Sequence, residues 1–331
     1  MKALILTDGK AGHENQSKAF ARALGCEYEL ARIRFKSKFH KALSYLFDRC
    51  GLLTTGLVEP VGEPCDPKAS LPLAFKPAAV IGTGSGTFYA AKALAKKLGV
   101  KCGVVLYPRG YRLSTFDCVL APAFDRPAKA RNVVEIPANL VANDEAFYAK
   151  GVETFKAHYA AQTVRVLQPG ASAVAVIVGG PNKCSTMTPE WMRAELTRIF
   201  TENGHPKFGA AAQPPVEFWV TTSRRTPPAV EAVVDSFPFD YKLLYSKDHF
   251  NPIPAFVKLA KRLYVTAEST GMLSEACTFG AAEVKALDNL NPGPHKFRRF
   301  VENLVRDGYV DGTRKVDLSS QFAAARSLMG L

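Results

Sequence analysis

The feature that most constrains this chain is an alternation of strand, turn and helix that runs once, pauses and runs again. Residues 3–7 are a short apolar strand. Residues 14–24 place apolar or small side chains at 19, 20, 23 and 24, one face of a helix. Residues 28–33 alternate as a strand does. Residues 78–82 read as a buried strand, 89–98 as a helix, 100–107 and 117–121 as further strands, and 142–161 as a long helix. A linker follows at 162–172, carrying Gln168-Pro169-Gly170. The second series then sets strands at 173–178, 217–221, 241–245, 262–266 and 282–286 against helices at 189–203, 229–237, 254–260 and 272–278, with closing helices at 297–307 and 319–329. Such a pattern predicts an α/β chain of two doubly wound parallel-sheet, Rossmann-like domains. We place them at residues 1–165 and 173–310, with a C-terminal helix in 311–331 packing back on the first.

Composition narrows the class. The chain has 331 residues, 47% hydrophobic and 22% charged, which excludes collagen-like and wholly disordered chains. No apolar run approaches the ~18–20 residues that span a bilayer. The N-terminus reads as a first strand, not a signal peptide, so a cytoplasmic location is expected. Seven cysteines never fall as Cys-x-x-Cys and six histidines never as His-x-x-x-His. Neither a disulfide frame nor a zinc site is expected. A formal net charge of +13 favours polyanionic partners without choosing among them.

In parallel sheets of this kind ligands lie beyond the carboxyl ends of the strands, and the polar, Gly-rich turns all fall there. The first turn, Asp8 to Gln16, includes Gly9, Lys10, Gly12 and His13. His13 stands where a helix begins, and a neutral imidazole near pH 7 suits a general base; a plain capped turn is the alternative. The second, Gly82 to Thr87, offers Gly84, Ser85 and Gly86 as a backbone cradle for phosphate or acceptor, or as a packing turn. It is not a dinucleotide fingerprint. The third, Gly179-Gly180-Pro181-Asn182-Lys183, and the fourth, with Ser223, Arg224 and Arg225, suit a diphosphate. The fifth is Ser269, Thr270, Gly271 and Met272, leading to Glu275: hydroxyls at a helix start for phosphate, and a carboxylate one turn on for a ribose diol, or alternatively a capping box. No Asp-x-Asp occurs, so no metal is expected at the diphosphate, and no cofactor.

From Arg32 to Arg49 the chain carries Arg32, Arg34, Lys36, Lys38, Lys41 and Arg49, interleaved with Phe35, Phe39, Leu43, Leu46 and Phe47. This basic amphipathic stretch is either a site for an anionic membrane surface, making the protein peripheral on the membrane's inner face, or a core helix with a solvated basic face. No specific nucleic-acid partner is expected, because no recognised motif accompanies the charge.

These motifs, with Asn251-Pro252 and Lys296-Phe297-Arg298-Arg299-Phe300, keep their order from residue 7 to about 308. Together they resemble the bacterial nucleoside-diphosphate-sugar glycosyltransferase family related to the plant elongated-mitochondria (mitochondrial fission) protein. The resemblance implies a GT-B fold, two Rossmann-like domains facing a cleft, with a nucleotide-sugar donor on the C-terminal one. It also implies metal-independent, inverting transfer, with a cell-envelope glycan or lipid as acceptor, His13 as base and Glu275 at the donor ribose. The chain departs from the family pattern at Phe124, Glu268 and Gly271. The alternative is a non-catalytic adaptor or membrane-surface protein on the same scaffold.

Overall fold

A computed structural model describes residues 1–61, 75–163, 172–208 and 216–331. Most of the linker read at 162–172, and Cys65, lie outside the described residues. The chain divides into two compact units, one formed by Met1–Ala142 with Asp317–Leu331, the other by Asn143–Val316.

The first unit carries strands β1 (Lys2–Thr7), β2 (Glu27–Phe35), β3 (Val58–Pro60), β4 (Ala79–Thr83), β5 (Lys101–Val105), β6 (Cys118–Pro122) and β7 (Val133–Ile136), and helices α1 (Ala11–Ala23), α2 (Lys38–Arg49) and α3 (Phe88–Leu98). The sheet order is β3-β2-β1-β4-β5-β6-β7. Every pairing is parallel except β2 with β3. Period-two alternation sends the two faces of β1 to different cores. Leu4 and Leu6 pack with Phe88, Tyr89 and Ala93 of α3, while Ala3 and Ile5 pack with Phe20 of α1. A sheet covered on both faces needs continuous apolar strands, which is why residues 3–6 and 79–81 carry no charge. Chain order reverses at β1 and β4, so the turns after these two strands flank the sheet's switch point.

The second unit carries α4 (Glu145–Thr163), β8 (Ser172–Val178), α5 (Pro189–Glu202), β9 (Val216–Thr222), α6 (Pro228–Ser236), β10 (Tyr241–Leu243), α7 (Ile253–Leu259), β11 (Ala260–Thr266), α8 (Thr270–Thr278), β12 (Glu283–Leu287) and α9 (Lys296–Arg306). Its sheet is wholly parallel, ordered β10-β9-β8-β11-β12, with the switch at β8 and β11. Val174, Val176 and Val178 meet Met192, Leu196 and Phe200 of α5 on one face. The last helix, α10 (Ser319–Met329), belongs to the first unit, where Ala325 and Met329 are buried with Phe20 and Ile136.

The bounds of the two units differ from those expected. The first unit's leading segment ends at Ala142, not near 165, because α4 packs on the second sheet. The Phe155 ring lies 5.2 Å from Trp219, 4.9 Å from Tyr241 and 5.8 Å from Phe256. Gly151 sits so close to Pro254 that a side chain there would collide with it. The second unit correspondingly begins at Asn143 and extends to Val316 rather than spanning 173–310.

Candidate functional site

In the first unit the turns after β1 and β4 interlock at the switch point. Gly9 has φ +80° and Gly84 φ +81°, conformations that favour glycine. The His13 ring packs against Gly84 so closely that a Cβ there would enter it, and a Cβ on Gly86 would stand 2.9 Å from the Asp8 side chain. His13 Nδ1 lies 3.1 Å from both carboxylate oxygens of Asp8. Lys10 Nζ lies 3.0 Å from Asp8 Oδ2. Burial pushes the Asp8 carboxyl up, but Lys10 and His13 outweigh it, so its pKa lies below the usual aspartate value. An ionised Asp8 holds the proton on Nδ1 and leaves Nε2 as the acceptor, the tautomer a general base requires.

The sequence reading named His13, Gly9, Lys10, Gly12, Gly84, Ser85 and Gly86 here but assigned Asp8 no role; its signal was a carboxylate five residues before the imidazole. The backbone N–H groups of Gly9 and Lys10 donate to Thr7 Oγ1 and Asp8 Oδ1, so they serve the turn itself. Gly12 has open space where a Cβ would be. Ser85 Oγ accepts from Lys41 Nζ at 3.0 Å, which ties α2 to this loop.

In the second unit three turns converge at the switch point. Thr226 Oγ1 donates to the Gly179 carbonyl at 2.6 Å. A Cβ on Gly180 would strike the Arg225 backbone, and one on Gly179 the Glu268 carboxylate. The sequence reads both glycines as suited to a diphosphate, yet their backbone donors have acceptors within the protein. Gly179 N–H donates to Thr266 Oγ1 at 2.9 Å, and Gly180 N–H to Glu268 Oε1 at 2.8 Å. Their donors are spent within the protein, and the glycines permit close packing of turns. Glu268, where the chain departs from the family pattern, is 2% exposed and also accepts from the Asn289 amide at 2.8 Å. It ties its own turn after β11 to the turns after β8 and β12, while Thr226 ties the turn after β9 to Gly179. The Asn289 loop is fixed in turn by Arg298, which pairs with Asp288 and donates to the Leu290 carbonyl.

Donors remain at α8. Its N-cap, Ser269, makes no side-chain capping bond, so the capping-box alternative is not realised. Leu273 N–H returns to the Ser269 carbonyl. The N–H groups of Thr270, Gly271 and Met272 are the helix's first donors, ahead of any intrahelical acceptor. Gly271 faces open space. Lys183, Arg224 and Arg225 are exposed on the neighbouring turns. None of the three forms an ion pair with a described residue. Ser223 Oγ accepts from Arg225 N–H and shapes that turn. Glu275, a turn further along α8, accepts from Tyr148 at 2.8 Å. Burial raises its carboxyl above the usual range, against hydrogen bonds from Tyr148 and Asn143. Sequence spacing gave no sign of Tyr148, 127 positions away. Among the described residues no group of three His, Cys, Asp or Glu side chains is placed to hold a metal ion, and no helix is long and apolar enough to cross a membrane.

Two Rossmann-like parallel-sheet units, each with its polar turns at the carboxyl edge of the strands, define a GT-B-like α/β protein. Residues 11–325 match the family described as Mitochondrial fission ELM1, and the chain belongs to that family. No curated protein matches it by sequence. Among solved structures it is similar to a UDP-GlcNAc 2-epimerase from Neisseria meningitidis bound to UDP-GlcNAc, with 12% identity over 100% of this chain and 98% of that one and a TM-score of 0.51. It is also similar to a UDP-GlcNAc 2-epimerase from Methanocaldococcus jannaschii (12% identity, 100% and 93% covered, TM-score 0.46). A third is a UDP-glucosyltransferase from Polygonum tinctorium (9% identity, 99% and 93% covered, TM-score 0.45). The Neisseria likeness is one of fold.

Proposed function

We propose that the protein is a glycosyltransferase that uses a nucleoside-diphosphate sugar without a metal ion and inverts the anomeric centre. The observation that carries this reading is the uncapped start of α8, with Gly271 open in front of it, beside the cations of the two adjoining turns. A diphosphate accepts hydrogen bonds from the first N–H groups of α8, where the helix dipole favours negative charge by about 0.3–2 kcal/mol. Lys183 and Arg225 meet the remaining charge, and Glu275 holds the ribose diol through acceptor positions left beside Tyr148.

Transfer begins with the acceptor hydroxyl oxygen attacking the anomeric carbon opposite the diphosphate. The C–O bond to the diphosphate breaks, the hydroxyl proton passes to His13 Nε2, and the bonding pair leaves on the diphosphate oxygen. Negative charge on that oxygen grows towards the transition state. Donors already fixed there stabilise the transition state more than the ground state, which is what accelerates the step.

A thermal-shift screen against uridine, cytidine, guanosine and adenosine diphosphates tests the reading. A ligand present at 100 times its Kd stabilises by about 2.7 kcal/mol, so one diphosphate should raise the melting temperature clearly above the others. Flat curves for all four at millimolar concentration would remove the donor.

A further inference from the structure

Helix α2 packs Leu43, Tyr45 and Phe47 against the first unit's core but leaves other apolar side chains outside. Its fully buried side chains are Ser44 and Asp48. Asp48, the only acid of the helix, is 1% exposed. Its Oδ1 pairs with Lys92 Nζ at 2.6 Å, and its Oδ2 accepts from Arg112 N–H at 2.6 Å. Ser44 Oγ lies 2.8 Å from Tyr111 OH, and the Tyr45 ring stacks on Tyr111 at 4.4 Å. Outward stand Phe39, 70% exposed, and Leu46, 56% exposed. Seven residues apart, they share a face. Leu52, 55% exposed, follows where the helix ends in a Schellman turn. There Leu52 N–H returns to the Phe47 carbonyl and Gly51 takes φ +75°.

Three of the six cations read as a basic face have neighbours or partners on the protein itself. Arg32 lies over Gly9, Arg34 pairs with Glu59 and Lys41 bonds Ser85. Lys36, Lys38 and Arg49 remain exposed and have no acidic partner among the described residues.

From this we infer that α2 docks the protein on an anionic lipid bilayer surface, with Phe39, Leu46 and Leu52 entering the headgroup boundary and Lys36, Lys38 and Arg49 meeting lipid phosphates. Charge complementarity selects this occupant. Among the described residues the face carries bulky apolar groups rimmed by cations without acidic partners and no exposed acid, the composition of an interfacial helix. The apolar groups reach about 5–10 Å into the boundary, and each cation contributes about a factor of five. Because Lys41 bonds Ser85, the docked helix brings the His13 loop to the membrane surface, where a lipid-borne acceptor would be met. That last consequence rests on the proposed transferase reading; the docking does not.

Vesicle flotation with the full chain tests it. The protein should float with phosphatidylglycerol-containing vesicles but not with phosphatidylcholine alone. It should be released as salt approaches 1 M, where the Debye length is about 3 Å. Lys36→Gln/Lys38→Gln/Arg49→Gln should weaken binding about 100-fold, and Phe39→Ser/Leu46→Ser about tenfold or more. Both variants should keep the wild-type melting temperature and nucleotide response, which separates failure of docking from failure of the donor reading. Equal binding to neutral vesicles overturns the inference. So does unchanged binding by Phe39→Ser/Leu46→Ser, which would mark a polyanion site instead. A wild-type dimer that this variant turns into a monomer would also overturn it, because a second copy would then cover the face.

Discussion

The Asp8 carboxylate grips His13 Nδ1 with both oxygens, each at 3.1 Å, and Gly84 and Gly86 leave the room in which the two side chains meet. The pair divides the work. His13 is the proposed proton acceptor, and Asp8 fixes its tautomer and steadies the imidazolium. His13→Ala should lower turnover by about 10²–10⁴ with donor affinity nearly unchanged. Asp8→Asn should lower turnover less and also shift the pH profile, because an amide can donate to Nδ1 as readily as accept from it, so it does not fix the tautomer, and it carries no charge to balance the imidazolium. Steady-state kinetics across pH on both variants check this. A profile for Asp8→Asn that overlays the wild type would leave Asp8 as a turn-shaping residue only.

Lys92 and Asp48 form an ion pair whose side chains are both 0% exposed. Lys92 Nζ also donates to Thr115 Oγ1 at 2.7 Å and lies 4.2 Å over the Phe116 ring. Burial lowers the lysine's pKa, against the opposing pull of Asp48. Removing one partner strands the other charge in the core. Lys92→Met should therefore cost about 3–5 kcal/mol in urea denaturation. Lys92→Met/Asp48→Leu should recover part of that loss, because no charge is left unpaired. A single variant as stable as the wild type would contradict this account of the pair.

The central strands were legible because they pair in parallel and are covered on both faces, which leaves unbroken apolar runs such as residues 79–81 and 173–178. β3 and β7, three and four residues long, were missed because they are too short to show a period. The long helix before the linker was seen, but not its allegiance. Phe155 finds Trp219 and Phe256 through contacts that no local pattern encodes. Each turn was located correctly for the same reason that glycines there are conspicuous. Their function was harder to read, since Gly179 and Gly180 look alike whether a phosphate or Glu268 comes close. Only the hydrogen bonds to Thr266 and Glu268 separate those cases.

Glu275 makes a pH signature. Its folded pKa is raised above the reference of 4.5, first by burial. Between those two values the native state binds more protons than the unfolded chain, so stability falls as pH rises through that window. Glu275→Gln keeps an oxygen for the Tyr148 hydroxyl and removes the ionisation. Urea titrations stepped upward from pH 4.5 should show a flatter decline for the variant than for the wild type. Parallel curves would place Glu275 in ordinary solvent in solution.

The start of α8 separates binding from folding more cleanly than any other position. Gly271 lies in the first turn, takes no positive φ and has nothing within 4 Å of a built Cβ. A larger residue therefore fits, and leaving glycine behind in a helix gains up to about 1 kcal/mol. Gly271→Glu also suits the helix dipole, so its melting temperature should equal or exceed the wild type's. Yet it sets a carboxylate where the diphosphate would rest, and like charges at such a seat repel. Nucleoside-diphosphate affinity, measured by calorimetry, should fall by tenfold or more, which is about 1.4 kcal/mol. Gly271→Ala, small and uncharged, should bind nearly as the wild type does. If Gly271→Glu bound a nucleotide with full affinity, the phosphate seat would have to be sought elsewhere on the second unit, with Lys183 and Arg225 as the next anchors.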